Sequence, residues 1–166
     1  MAKRATEAPT QPHPAKTAIS VDEYNKVVGS ADLQTVQALK VSLDVNPEFY
    51  DEHAEKKFGI DRDIVGVAVK PEGGAVAGTF RFTVTVKHGR TRVLKATAEY
   101  FVLYSLHAGA DDEAAEEFCR RVGVFAAYPY FRALMAQLSW EANAQIPIMP
   151  VIATKGSRVK ALDAEE

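Results

Sequence analysis

Residues Gly78–His88 alternate without a break: Phe80, Phe82, Val84 and Val86 fall on one side, Thr79, Arg81, Thr83, Thr85 and Lys87 on the other. A period of two with a single apolar side is the pattern of a strand with one wet face, and an amphipathic helix cannot produce it. Lys87-His88-Gly89-Arg90 follows as a tight connection whose glycine tolerates positive φ. Thr91–Leu106 then returns with Leu94, Ala96, Ala98, Tyr100, Val102, Tyr104 and Leu106 on one side. The pair is a long hairpin with one greasy face, and such a face must be covered by something.

The preceding residues extend the sheet. In Gln34–Val45 the positions Leu39, Val41, Leu43 and Val45 alternate with Lys40, Ser42 and Asp44. In Asp63–Lys70, Val65, Val67 and Val69 repeat the pattern, and Pro71-Glu72-Gly73-Gly74 supplies a turn. Asn46–Gly59 has loop composition. Short connections make neighbouring strands antiparallel, which predicts a four-stranded antiparallel meander.

The cover comes from the C-terminal half. Asp111-Asp112-Glu113 and Glu116-Glu117 open a helix, Arg120-Arg121 stand near its end, and Ala115, Phe118, Val122 and Phe125 recur at helical spacing. Pro129 suits the first turn of a second helix, whose stripe is Phe131, Leu134, Met135, Leu138 and Ala142. Pro147 and Pro150 make Gln145–Ile152 extended. The expected fold class is α+β, a four-stranded meander sheet with two C-terminal helices packed on one face. Pro9, Pro12 and Pro14 without apolar periodicity mark residues 1–18 as a flexible tail, and residues 154–166 read similarly, leaving a single domain over 19–153.

Composition narrows the function. Twenty Lys and Arg against 22 Asp and Glu leave a net charge of −2, so no global field recruits nucleic acid or anionic lipid. The basic residues Arg81, Lys87, Arg90, Arg92 and Lys95 lack interleaved aromatics on the wet face, which disfavours a nucleic-acid platform. The apolar runs are far shorter than a membrane span, and the polar stretch after Met1-Ala2-Lys3-Arg4 is not a signal core, so a cytoplasmic protein is expected. Cys119 on the apolar side of a helix reads as a buried thiol. His13, His53, His88 and His107 are scattered, Gly73-Gly74 is a turn, and Asp51, Glu52 and Glu55 read as a solvated loop. No catalytic residue, metal or cofactor is expected.

Large apolar side chains are in excess late in the chain: Phe125, Tyr128, Tyr130, Phe131, Met135 and Trp140, then Ile146, Ile148, Met149, Val151 and Ile152. Two short helices over one sheet cannot hide them all, and a leftover apolar patch of several hundred Å² marks an interaction surface.

Four strands, a helix, the link Phe125-Ala126-Ala127-Tyr128-Pro129-Tyr130-Phe131-Arg132, a second helix and a Pro-bearing apolar end together resemble the SecB family of export chaperones. The resemblance is closest to the branch that accompanies toxin–antitoxin pairs, and it is specific at residue level over Val122–Arg132. It implies an ATP-independent holdase for unfolded polypeptide, acting in protein export or as a dedicated antitoxin chaperone. It further implies a homotetramer, a dimer of dimers with the first helices at its centre, bringing Phe118, Cys119 and Val122 into the oligomer interface. The client groove it implies is lined by Val65, Val67, Val69, Val124, Phe125, Tyr128 and Tyr130, with Ile146 and Met149, while Arg132 anchors the inter-helix loop. The family's exporters dock the translocase ATPase SecA through carboxylates on the open sheet face. Here that face carries Arg81, Lys87, Lys95 and Lys40 beside Asp44 and Glu99, which argues against SecA docking. The competing readings are a cystatin-like or NTF2-like ligand-binding protein or enzyme with a pocket between sheet and helices, and an assembly protein with one fixed partner.

Overall fold

The computed structural model describes residues 19–51, 53–70, 73–147 and 149–152, so the expected tails at 1–18 and 154–166 lie outside the described residues. In chain order the elements are α1 (Val21–Ser30), β1 (Asp32–Val45), a 3-10 turn (Pro47–Tyr50), β2 (Lys56–Val69), β3 (Gly73–His88), β4 (Thr91–Ala108) and α2 (Asp112–Glu141). The architecture is α+β, a four-stranded antiparallel sheet with a long C-terminal helix across one face.

Strand order is β1-β4-β3-β2, so the sheet is a Greek key rather than a meander. The short-connection argument holds for β2–β3 and β3–β4, but the ten residues 46–55 between β1 and β2 are long enough to escape it. They span three inter-strand steps, about 14 Å, well within the reach of ten extended residues. Phe49, buried in this crossover with the Lys56 ammonium 5.1 Å from its ring centroid, pins the chain under the β3–β4 hairpin. The Asn46 N–H donates to the Val93 carbonyl at 2.8 Å and fixes where the crossing starts. Only the end of the stretch read as loop, Lys56–Gly59, is strand, since β2 begins at Lys56.

The β3 and β4 alternation is realised as read: Phe80, Phe82, Val84, Val86, Leu94, Ala96, Ala98, Tyr100, Val102 and Tyr104 are buried under α2. The helix lies unusually close. A Cβ on Gly123 would fall 2.6 Å from Phe80 Cε2, and one on Gly78 would fall 2.8 Å from Cys119 Sγ. Two glycines on facing elements therefore set the helix–sheet spacing, and no cavity separates the layers at this point.

Two expectations about helices fail. The two C-terminal helices are one helix of 30 residues that runs through Pro129. An internal proline deletes one backbone hydrogen bond and costs about 3 kcal/mol. Here Tyr128 and Phe131, on either side of it, pack on Phe82 with ring centroids 5.6 and 5.0 Å away, and Ala127 and Met135 are buried as well. Burying such side chains stabilises by about 1.5–3 kcal/mol each, which outweighs the break. Pro129 itself is exposed, so its deficit faces solvent. The second helix is instead N-terminal: α1 buries Val27, and the Arg121 guanidinium stands 5.5 Å from the Tyr24 ring centroid. Among the described residues no helix is long and apolar enough to cross a membrane.

Candidate functional site

A groove of about 530 Å³ opens between the edge strand β2 and α2, lined by Arg62, Asp63, Ile64, Arg120, Arg121, Val124 and Phe125. A second, of about 470 Å³, follows the C-terminal half of the helix and is lined by Pro129, Arg132, Ala133, Met135, Ala136, Ser139, Ile146, Pro147 and Met149. Arg121, Phe125, Pro129, Arg132, Ala136 and Ser139 recur every three or four residues and so share one flank of the helix. The two grooves open in succession along that flank, and the 19 helical residues 121–139 span about 27 Å.

On the strand side the register corrects the expected lining. Phe58, Ile60, Arg62 and Ile64 pair with Val86, Val84, Phe82 and Phe80 and share the α2-facing side. A β-bulge between Ile64 and Gly66 then shifts the phase, so that Val67 and Val69 regain that side opposite Gly78 and Val76. Val65 is the inserted residue, has no register partner and is 48% exposed. Ile64, which strict alternation carried through the bulge conceals, is the strand's apolar contribution to the groove, beside Arg62 and Asp63. Val67 and Val69 are half-buried against the core.

The helix residues divide three ways. Val124 and Phe125, the latter 37% exposed, line the first groove. Tyr128 does not line an open surface: it is buried against Phe82, and its hydroxyl donates to the Pro150 carbonyl at 2.7 Å. Burial raises its pKa, against the opposing charges of Arg132 and Arg62. Tyr130 is 53% exposed, with Trp140, 87% exposed, ten residues further along. Arg132 has no helix end to anchor, because α2 is continuous there; it lines the second groove. The expected interface residues are also reassigned. Phe118 and Cys119 belong to the subunit's own core, Phe118 meeting Tyr104 edge-on at 5.1 Å, and Val122 is half-buried. Burial pushes the Cys119 thiol up to about 11 and the Tyr104 phenol up to about 12, so neither ionises near neutrality.

The C-terminal segment folds back over the second groove. Asn143 takes φ +47°, the left-handed conformation that turns a chain off a helix end. Ser139 Oγ donates to the Ala144 carbonyl and accepts from the Ile146 N–H at 3.2 Å, while the Tyr50 hydroxyl donates to the Ala142 carbonyl at 2.7 Å. Met149 is buried and Ile146 half-buried, so these two expected residues form a wall of the second groove. Ile148 lies outside the described residues.

On the other side of the sheet, Arg81 and Glu99 form an ion pair at 2.8 Å, which removes Arg81 from the basic cluster. Among the described residues there is no group of three or more His, Cys, Asp or Glu able to hold a metal ion.

No family model matches the chain. It is 27% identical over 141 residues to the SecB-like chaperone SmegB of Mycolicibacterium smegmatis, an alignment covering 83% of this chain and 95% of that protein. Its fold superposes on the Mycobacterium tuberculosis Rv1957 SecB-like chaperone, solved in complex with a ChAD peptide from the Rv1956 HigA1 antitoxin. That match has a TM-score of 0.65 and 16% identity, and covers 80% of this chain and 97% of that one. The resemblance read at Val122–Arg132 thus extends over most of the chain, and both the sequence and the fold are SecB-like.

Proposed function

We propose that this protein is an ATP-independent holdase, which keeps non-native polypeptide from collapsing by burying its apolar side chains in the grooves along α2. The observation that carries the reading is the open groove at Ile64, Val124 and Phe125: large apolar side chains remain uncovered beside a core that is otherwise sealed. Holding many sequences calls for non-directional burial, about 25 cal/mol per Å² of apolar surface, and no bond-making residue. A cystatin-like or NTF2-like site needs space between sheet and helix, and the Gly123–Phe80 contact fills it.

The client groove of this reading consists of Ile64, Val67, Val69, Val124 and Phe125, extended by Ile146 and Met149 when the C-terminal segment gives way. The client is of antitoxin type, as in the Rv1957 complex. The pairing of Arg81 with Glu99 and the presence of Lys40 and Lys95 on the open sheet face argue against docking a translocase through carboxylates there. The working form is a cytoplasmic homotetramer. Between Val122 and Trp140 the helix carries a single ionised side chain, Arg132, and its exposed side bears Tyr130, Ala133 and Trp140. That uncharged surface is the subunit contact in this reading, in place of Phe118 and Cys119.

The test is light scattering of a chemically unfolded client diluted into buffer without nucleotide. Stoichiometric protein is expected to suppress aggregation, and Phe125→Ser to weaken suppression several-fold with an unchanged elution volume. Absence of suppression by the unmodified protein refutes the holdase.

A further inference from the structure

Arg62 stands where the strand pattern calls for an apolar side chain. It shares the α2-facing side of β2 with Ile60 and Ile64 and sits opposite Phe82. It is exposed because β2 is the sheet edge and the groove above it is open. The other two guanidinium groups lining this groove are already neutralised. Arg120 is held by Glu116 and Arg121 by Glu117, each pair one helical turn apart with N···O distances of 2.6 Å. Among the described residues, none of the ion pairs within 4.0 Å involves Arg62. The adjacent Asp63 also lines the groove, but its register partner is Arg81 and it forms no ion pair with Arg62 within 4.0 Å.

With the groove empty, water solvates the Arg62 guanidinium. A purely apolar segment laid over Ile64, Val124 and Phe125 would strip that water and offer nothing in return, and burying an uncompensated charge is strongly unfavourable. A segment carrying a carboxylate at the matching position replaces the lost hydration with a charge-assisted pair, to which a guanidinium can donate in bidentate geometry. A segment carrying an ammonium there is repelled.

We infer that the β2–α2 groove selects apolar segments bearing an acidic residue, with Arg62 as the group that reads the carboxylate. The inference rests on the holdase reading and specifies the class of client that this site takes.

The test uses three fluorescein-labelled extended peptides of alternating leucine and phenylalanine that differ only in a central glutamate, glutamine or lysine. Anisotropy is measured on the full chain and on Arg62→Gln and Arg62→Glu. The unmodified protein is expected to bind the glutamate peptide about three- to tenfold more tightly than the glutamine peptide at low salt, the range of a partly exposed charge pair. The preference shrinks as salt is added, vanishes in Arg62→Gln and turns toward lysine in Arg62→Glu. Equal binding of the glutamate and glutamine peptides, or a preference unchanged in Arg62→Gln, overturns the assignment. If no peptide binds while client aggregation is still suppressed, the inference fails and the holdase stands. If suppression is absent too, both fail. A changed sedimentation coefficient in Arg62→Glu would show that a second copy covers the groove, which also overturns the assignment.

Discussion

Adding one methyl group at Gly123 should destabilise the protein, although glycine is a poor residue for a helix interior. In isolation, Gly→Ala inside a helix stabilises by about 0.8–1 kcal/mol. Here the new Cβ would lie 2.6 Å from Phe80 Cε2 and closer still to Cζ, far inside van der Waals contact. The Phe80 ring is fully buried and cannot swing into solvent. Either α2 lifts from the sheet or Phe80 leaves its rotamer, and overpacking of this kind costs about 1–3 kcal/mol. With two severe approaches to a rigid ring, the upper part of that range applies, and the net expectation is a loss of about 1–2 kcal/mol. Urea unfolding at fixed protomer concentration measures it as a lower midpoint with an unchanged slope. Gly29→Ala in α1 is the control: nothing lies within 4 Å of its Cβ, so the same change should be neutral or slightly stabilising. Phe80→Leu combined with Gly123→Ala should cost less than the sum of the two single changes, because the smaller side chain makes room for the methyl. A Gly123→Ala protein as stable as the unmodified one would refute the close approach of helix and sheet, and with it the filled space that disfavours a ligand cavity.

Tyr128→Phe removes the hydroxyl that donates to the Pro150 carbonyl; the expected loss is about 1 kcal/mol, read as faster hydrogen exchange and proteolysis confined to residues 144–152, and unchanged rates there would refute the latch. Cys119 and Tyr104 make stability fall at alkaline pH. Their folded pKa values of about 11 and about 12 exceed the ordinary 9.0 and 10.0, so their contribution is complete below about pH 9 and is lost as pH rises toward 12. Urea midpoints across pH 8–11 should decline accordingly. A thiol-specific reagent at pH 8 should find Cys119 only after unfolding, and rapid labelling of the native protein would contradict its burial.

The grooves were legible in part. Phe125 stood out because too many large side chains crowd the last third of the chain, Val124 came only from the resemblance, and both line a groove. Tyr128 has the same composition signal as Tyr130, yet one is core and the other surface. Their separation follows from the direction of α2 over the sheet, which two tyrosines flanking a proline do not encode. Ile64 was missed because alternation can be counted through Val65, Val67 and Val69 without sign of a bulge; the missing register partner appears only when β3 is alongside. Arg62 belongs to the same phase and was hidden with it. The helix α1 left a faint trace, Asp22 and Glu23 ahead of Val27, too short to stand out beside a proline-rich start.

Local chemistry alone determined which residues become β3 and β4, which of their faces is apolar, and that a helix beginning near Asp111 must cover it, because side-chain periodicity and terminal charge act over a few residues. Tertiary packing decided the rest. It carried α2 through Pro129, since burial of Tyr128, Phe131 and Met135 against the sheet exceeds the loss of one hydrogen bond. It also set β1 beside β4, because a ten-residue crossover permits several pairings and only the complete sheet chooses among them.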